Sequence, residues 1–336
     1  MEKVAMSLTN VPLADMVRLA QEAERSGFDS VWTIEFFNRN GFVAVTAMAA
    51  ATQRVRVGTG IAYAFMRTPM LDAAAAMDID ELSGGRMVLG LGSGTKAMNE
   101  YWYSVPFSHP LGRMREAIEL IRAYWRHAEG KPLRYKGTYY NIAIPQFERP
   151  FAVRPRIPIY LAGVNRGMLR LVGEVADGWV GHPIASRRYI AEIARPTMAE
   201  AAARAGRRLE DLELTSYIIT AVHEDRATAL REAKHQIAFY ATVKSYDVIL
   251  DLHGFGEQAR AIREAFKTID IPRMVEAVTD DMVDALAIAG TPDDCRQQLS
   301  RYDGLIDLPL FYSPSFGLPA ERVVENLATI IRTFAR

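Results

Sequence analysis

A single carboxylate, Glu35, follows the β-rich run 29–34 and stands directly before two aromatic residues, Phe36 and Phe37. Burial beside an apolar ring penalises the charged form. Such a carboxyl should therefore titrate high and could carry a proton, or could serve only to orient a bound ring. Two glycine-rich loops, Gly92-Ser93-Gly94 and Gly163-Val164-Asn165-Arg166-Gly167, follow other β-rich runs and open helical segments. Backbone N–H groups there can approach an anion closely, and the second loop adds a guanidinium. A phosphate-bearing ligand fits both loops, although such glycines also serve simply to make tight turns. Phe36, Phe37, Tyr63, Phe65, Met66, Met98, Tyr101, Trp102, Tyr103 and Phe107 crowd the same loops. They suit a flat, largely apolar cofactor and substrate, or else they pack the loops together. His182, just past the run 179–181, either lines this pocket or is a satisfied polar residue. Arg67, before Thr68-Pro69, is placed to pair with a nearby acid.

Other chemistries find less support. The lone Cys295 has no partner for a disulfide and no histidine beside it, which reads as an idle thiol. There is no metal-ligand spacing such as His-Glu-x-x-His, so no metal is expected. A glycosidase would want facing carboxylates, and the loop after residue 91 offers only Glu100. Forty basic and forty acidic residues cancel, leaving no global field for nucleic acid or an anionic membrane. No apolar run reaches the length of a membrane span, and residues 1–4 open no apolar leader, so a cytoplasmic location is expected.

Eight β-rich runs position these residues: 4–8, 29–34, 55–61, 87–91, 158–162, 179–181, 212–222 and 305–312. Amphipathic helical runs separate them, as where Leu13, Met16, Val17, Leu19 and Ala20 recur at helical spacing and Gly27 ends the run. Residues 133–135 and 138–140 around Lys136-Gly137 read as a small hairpin after the fourth strand. Pro145, Pro150, Pro155 and Pro158 mark an extended connection. Residues 227–287 are helical and too long for one barrel helix, which reads as an insertion after the seventh strand. The whole, 1–336, reads as one (β/α)8 TIM barrel with these insertions. A dinucleotide-binding sheet would need Gly-x-Gly-x-x-Gly after the first strand, where Ser7-Leu8-Thr9-Asn10 stands.

Several segments carry a family resemblance. Residues 23–32 (AERSGFDSVW) and 50–61 (AATQRVRVGTGI) resemble luciferase-like monooxygenases, and residues 82–94 (LSGGRMVLGLGSG) resemble their most distinctive stretch. Residues 176–179 and 290–294 fit as well. Within the superfamily the chain is most similar to the deazaflavin branch, which includes methylenetetrahydromethanopterin reductase; the run 32–40 (WTIEFFNRN) resembles that reductase's second-strand loop. The resemblance implies coenzyme F420, or alternatively FMN. It implies a bulge and a non-proline cis peptide at Gly60–Ile61, propping the back of the ring, at a cost of about 3–4 kcal/mol. Ser93, Gly94 and Asn99 would touch the cofactor, and Gly163, Val164, Asn165 and Arg166 would meet its phosphate. Many members of that branch carry Asp-His where this chain has Glu35-Phe36, and phenylalanine cannot take a proton.

The expected function is hydride transfer between the deazaflavin and a small organic substrate. Glu35 would be the catalytic group, and Phe36, Tyr63, Phe65, Trp102 and His182 would form the substrate pocket. An FMN-dependent monooxygenase is the alternative, and a cofactor-binding barrel without turnover is the reading from another class. Relatives imply a homodimer.

Overall fold

The computed structural model describes residues 3–126, 131–145 and 152–336. Among the described residues eleven strands run along the chain: β1 (Ala5–Ser7), β2 (Ser30–Ile34), β3 (Arg56–Tyr63), β4 (Met87–Gly92), β5 (Leu133–Lys136), β6 (Asn141–Ile144), β7 (Ile159–Ala162), β8 (Gly178–Gly181), β9 (Glu213–Val222), β10 (Ala287–Gly290) and β11 (Leu308–Tyr312). Eight of them pair in parallel in the order β1-β2-β3-β4-β7-β8-β9-β11, and β11 returns to β1. The result is a closed (β/α)8 barrel. Its strands are almost wholly buried, as parallel strands covered by helices must be. These eight are the eight β-rich runs expected above.

The end of the barrel where the strands begin is plugged by charge. Arg56 donates to Asp29 at 2.5 Å and to Glu213 at 2.7 Å, and the Tyr160 hydroxyl also bonds Glu213. The mouth at the opposite end is left to the loops. The segment 82–86, at the heart of the family resemblance, proves to be scaffold. Gly84 and Gly85 turn the chain at φ 66° and 89°, in the left-handed region open to glycine. Arg86 then donates to the carbonyls of Ala49, Thr52 and Val55, satisfying the open end of the Gly41–Ala51 helix.

Three details differ from expectation. The hairpin's second strand is Asn141–Ile144, and residues 138–140 belong to its turn. There Glu116 accepts from the N–H groups of Thr138, Tyr139 and Tyr140, which fixes them out of the ladder. Residue 287, expected to end the helical segment, instead opens a strand, β10 (Ala287–Gly290). It pairs with the last four residues of β9, which runs on beyond its pairing with β8 and β11. The helices that precede it extend from Arg226 to Leu286. Pro150 lies outside the described residues.

Candidate active site at the barrel mouth

Parallel pairing puts the ends of all eight barrel strands on one rim. Tyr63 is opposite Gly92, Leu91 is opposite Leu161, and Ala162 is opposite Val180. Segments 60–66, 92–99 and 163–167 therefore surround one opening, so a single ligand can touch all three.

At the end of β3 the ladder slips. Its register shifts against β4 between Thr59 and Ala62, and against β2 at Thr33/Ile34. Two glycines permit this bulge. A Cβ on Gly60 would stand 1.6 Å from the Tyr217 hydroxyl inside the barrel, and one on Gly90 would stand 1.8 Å from the Thr59 carbonyl. Every described peptide bond is trans, so the expected cis bond at Gly60–Ile61 is corrected. The extra residue of the bulge re-aims the strand without it.

Glu35 fastens that bulge. Its N–H donates to the Ile61 carbonyl at 2.9 Å, and its Oε2 accepts from the Tyr63 N–H at 2.9 Å. Arg67 grips both carboxylate oxygens at 2.7 Å, and its Nε donates to Asp72 at 2.9 Å. Two buried carboxylates thus share one guanidinium. Burial pushes the Asp72 carboxyl up to about 6, against the pull of Arg67. Its Oδ2 is buried with no hydrogen-bond partner. Both Glu35 oxygens are engaged, Oε1 by Arg67 and Oε2 by Arg67 and the Tyr63 N–H.

The loop after β4 is held by Asn99, whose side-chain amide donates to the carbonyls of Ser93 and Thr95, both at 2.8 Å. Gly94 takes φ 65°, and its vacant Cβ position lies 3.1 Å from the same amide nitrogen. The Asn99 Oδ1 is fully buried and unpartnered, a spare acceptor at the mouth. A wide π-type turn, Met98–Trp102, follows, a form frequent at functional sites.

Beyond β7, Trp179 donates to the Gly163 carbonyl at 2.9 Å, and the Tyr189 hydroxyl bonds the Val164 carbonyl. These bonds hold the carbonyls back and leave the helix Arg166–Val175 starting at Asn165 with no side-chain cap. Its first N–H groups are open to an anion. Arg166 is exposed beside them, touching Thr197 Oγ1 at 3.2 Å.

The expected pocket residues take different places. Tyr63 is buried with its ring 5.9 Å from that of Tyr103. Phe36 and Trp102 meet edge to face at 5.3 Å on the rim. Phe65 is covered by Phe107 and by the Arg113 guanidinium, 4.3 Å above its ring, and so serves packing. His182 lies between Tyr246, at 3.9 Å, and Tyr240, at 4.6 Å. Burial pushes its pKa down to about 3, so the ring is neutral at physiological pH. Sequence reading missed Tyr217, Tyr240 and Tyr246. They come from β9 and the helices after it, where nothing local marks a residue that points into the mouth. Cys295 is buried behind β10, its thiol pushed up to about 12 by burial.

A bulged third strand and two glycine loops at one end of the barrel define a class, (β/α)8 barrels whose strand ends gather such loops around one mouth. The chain belongs to the luciferase-like monooxygenase family, whose model matches residues 2–307. It is an oxidoreductase of that family. Among its relatives is the 5,10-methylenetetrahydromethanopterin reductase of Archaeoglobus fulgidus, 34% identical over 285 residues, 83% of this chain and 82% of that one. The enzyme of the same name from Methanolobus tindarius is 31% identical over 304 residues, 88% of each chain. The coenzyme F420 dependent tetrahydromethanopterin reductase of Methanopyrus kandleri shares the fold with a TM-score of 0.86, 25% identity and 99% coverage of both chains.

Proposed function

We propose that this oxidoreductase moves a hydride between coenzyme F420 and a small organic substrate at the barrel mouth. One observation carries the reading. The bulge at Gly60–Ile61, the loop held by Asn99 and the uncapped helix at Asn165 lie at the same end of the barrel, as a flat ring with a phosphate tail requires. Gly60 and Ile61 would back the ring, and Ser93, Gly94 and Asn99 would line its edge. Gly163, Val164, Asn165 and Arg166 would take the phosphate. When bound, the deazaflavin supplies the hydride chemistry; the protein supplies position and electrostatics. Glu35 acts beside the ring as a fixed anion that keeps the bulge in shape, because Arg67 occupies its oxygens. His182, neutral and flanked by tyrosines, lines the substrate side.

FMN is the second reading, since the family is one of luciferase-like monooxygenases. Spectral titration separates the two. Saturable binding of coenzyme F420 at micromolar concentrations, with FMN at least tenfold weaker, is expected on the scale of one good polar contact. Micromolar FMN binding without coenzyme F420 binding, together with oxygen consumption on reduced FMN, would transfer the protein to the monooxygenase reading.

The protein's own partner is a second copy of itself. The Gly41–Ala51 helix is apolar on every face, yet Val43 on it is 60% exposed, as is Leu71 on the neighbouring Pro69–Leu82 helix. Helices apolar all round belong in an interior, and a second chain would supply one. No helix among the described residues is long and apolar enough to cross a membrane.

A further inference from the structure

The turn after β2 carries two features that the cofactor reading leaves unused. The N–H groups of Phe36 and Arg39 each donate to the other's carbonyl at 3.0 Å, closing a tight turn with Phe37 and Asn38 at its tip. On one side of this turn the rings of Phe36, Phe37 and Trp102 form an open aromatic platform. Their centroids lie 5.0–5.7 Å apart, and Phe37 is 64% exposed. Beside the turn lies a cavity of about 300 Å³ lined by Asn10, Val11, Pro12, Asn38 and Arg39. It holds a guanidinium and two amides and no carboxylate. Arg39 uses one donor, to the Val11 carbonyl at 3.0 Å, and has no acidic partner among the described residues. An arginine has five N–H donors, so most remain for a ligand. Asn10 is anchored to Ser315 at 2.8 Å, which fixes one wall.

The placement around the ring matters. In the strand order β1-β2-β3-β4-β7-β8-β9-β11, the cavity at the ends of β1 and β2 lies across the mouth from the loop after β7. A cofactor with its phosphate on that loop has its tail on the far side. We propose that the 36–39 turn recognises the substrate. The ligand has a flat apolar body that rests on Phe36, Phe37 and Trp102, and an anionic group, carboxylate or phosphate, that Arg39 binds with Asn10 and Asn38. This assignment of a substrate class rests on the barrel mouth being the active site, but the quenching arm of its test uses no cofactor.

Of the four tryptophans, Trp32, Trp125 and Trp179 are buried at 1% exposure or less, and Trp102 is 49% exposed. Quenching of Trp102 emission therefore reports on the platform. The probes are 4-nitrobenzoate, 4-nitrophenyl phosphate and the neutral 4-nitrobenzamide, each added to the native chain. At least one anion should quench saturably at a concentration about tenfold below the amide, the scale of one charge-assisted hydrogen bond. Which anion does so names the group. Arg39→Gln should erase the advantage and leave the amide curve in place, Arg39→Lys should keep part of it, and Trp102→Phe should remove the saturable signal. Unchanged melting temperatures in the Arg39 variants exclude unfolding as the cause. Equal quenching by anion and amide, or an Arg39→Gln chain that still prefers the anion, would overturn the proposal. So would an Arg39→Gln chain whose affinity for coenzyme F420 falls by the same factor, because the pocket would then belong to the cofactor's tail. If the quenching behaves as expected while coenzyme F420 fails to bind, the substrate pocket stands and the cofactor reading falls.

Discussion

At Gly60 the packing leaves room for a hydrogen and nothing larger, because the Tyr217 hydroxyl occupies the next position inward. Gly60→Ala should cost about 1–3 kcal/mol through overpacking. A lower urea midpoint would show it, and adding Tyr217→Phe, which deletes the clashing oxygen, should recover part of the loss. Asp72 gives a prediction of opposite character. Its pKa in the folded chain, about 6, lies above the ordinary 3.8, so the folded state binds the proton more tightly than the unfolded one. That advantage is complete below 3.8 and is lost as pH rises through about 6. The unfolding free energy of the native chain minus that of Asp72→Asn should therefore fall across this window and flatten outside it. A difference that stays level would mean that Asp72 gains nothing by holding its proton in the folded chain.

Among the elements, the helix Arg166–Val175 has the most direct functional consequence. Its N-terminus is uncapped and aimed at the mouth, while its C-terminal end is closed by Arg207, which donates to the carbonyls of Gly173 and Ala176. The helix is thus satisfied at one end and open at the other. If the open end takes the cofactor's phosphate, Arg166→Ala should weaken coenzyme F420 about fivefold to tenfold. The same substitution should leave the tail-less deazaflavin core unaffected in a parallel fluorescence titration. Equal weakening of both would place Arg166 against the ring instead. The β-rich runs and the helix starts could be read from composition and period alone, because burial on both faces and capping chemistry are local demands. In the structure Thr68, which accepts from Leu71, and Asp225, which accepts from Ala227 and Thr228, cap their helices. The four residues of β10 escaped such reading. They are short and alanine-rich, and they become a strand only because β9 outruns its barrel neighbours and offers them an edge.

For the molecule as a whole, the barrel buries its strands and charges its base, while the outer faces of the helices Gly41–Ala51 and Pro69–Leu82 leave Val43 and Leu71 exposed. Two copies meeting there would hide Val43 and Leu71. Val43→Asp combined with Leu71→Asp should convert a dimer to a monomer in light scattering, with the far-ultraviolet circular dichroism unchanged. A native chain that scatters as a monomer at tens of micromolar would remove this partner.

The order of strands and helices, the glycine loops and the carboxylate after β2 were set by the amino-acid sequence alone, since each depends on neighbours within a few residues. What Glu35 does was not. Its acidity and its aromatic neighbours suggested a proton carrier or a group that orients a bound ring, and only the fold brings Arg67, thirty-two positions on, against both of its oxygens. The same holds for the close fit at Gly60, where the Tyr217 hydroxyl from across the barrel leaves no room for a side chain. It holds too for Arg39, whose lack of an acidic partner among the described residues depends on everything packed around it. Secondary structure follows from short-range preference, whereas the charge state and reach of a side chain at the mouth follow from which distant strands the closed ring makes into neighbours.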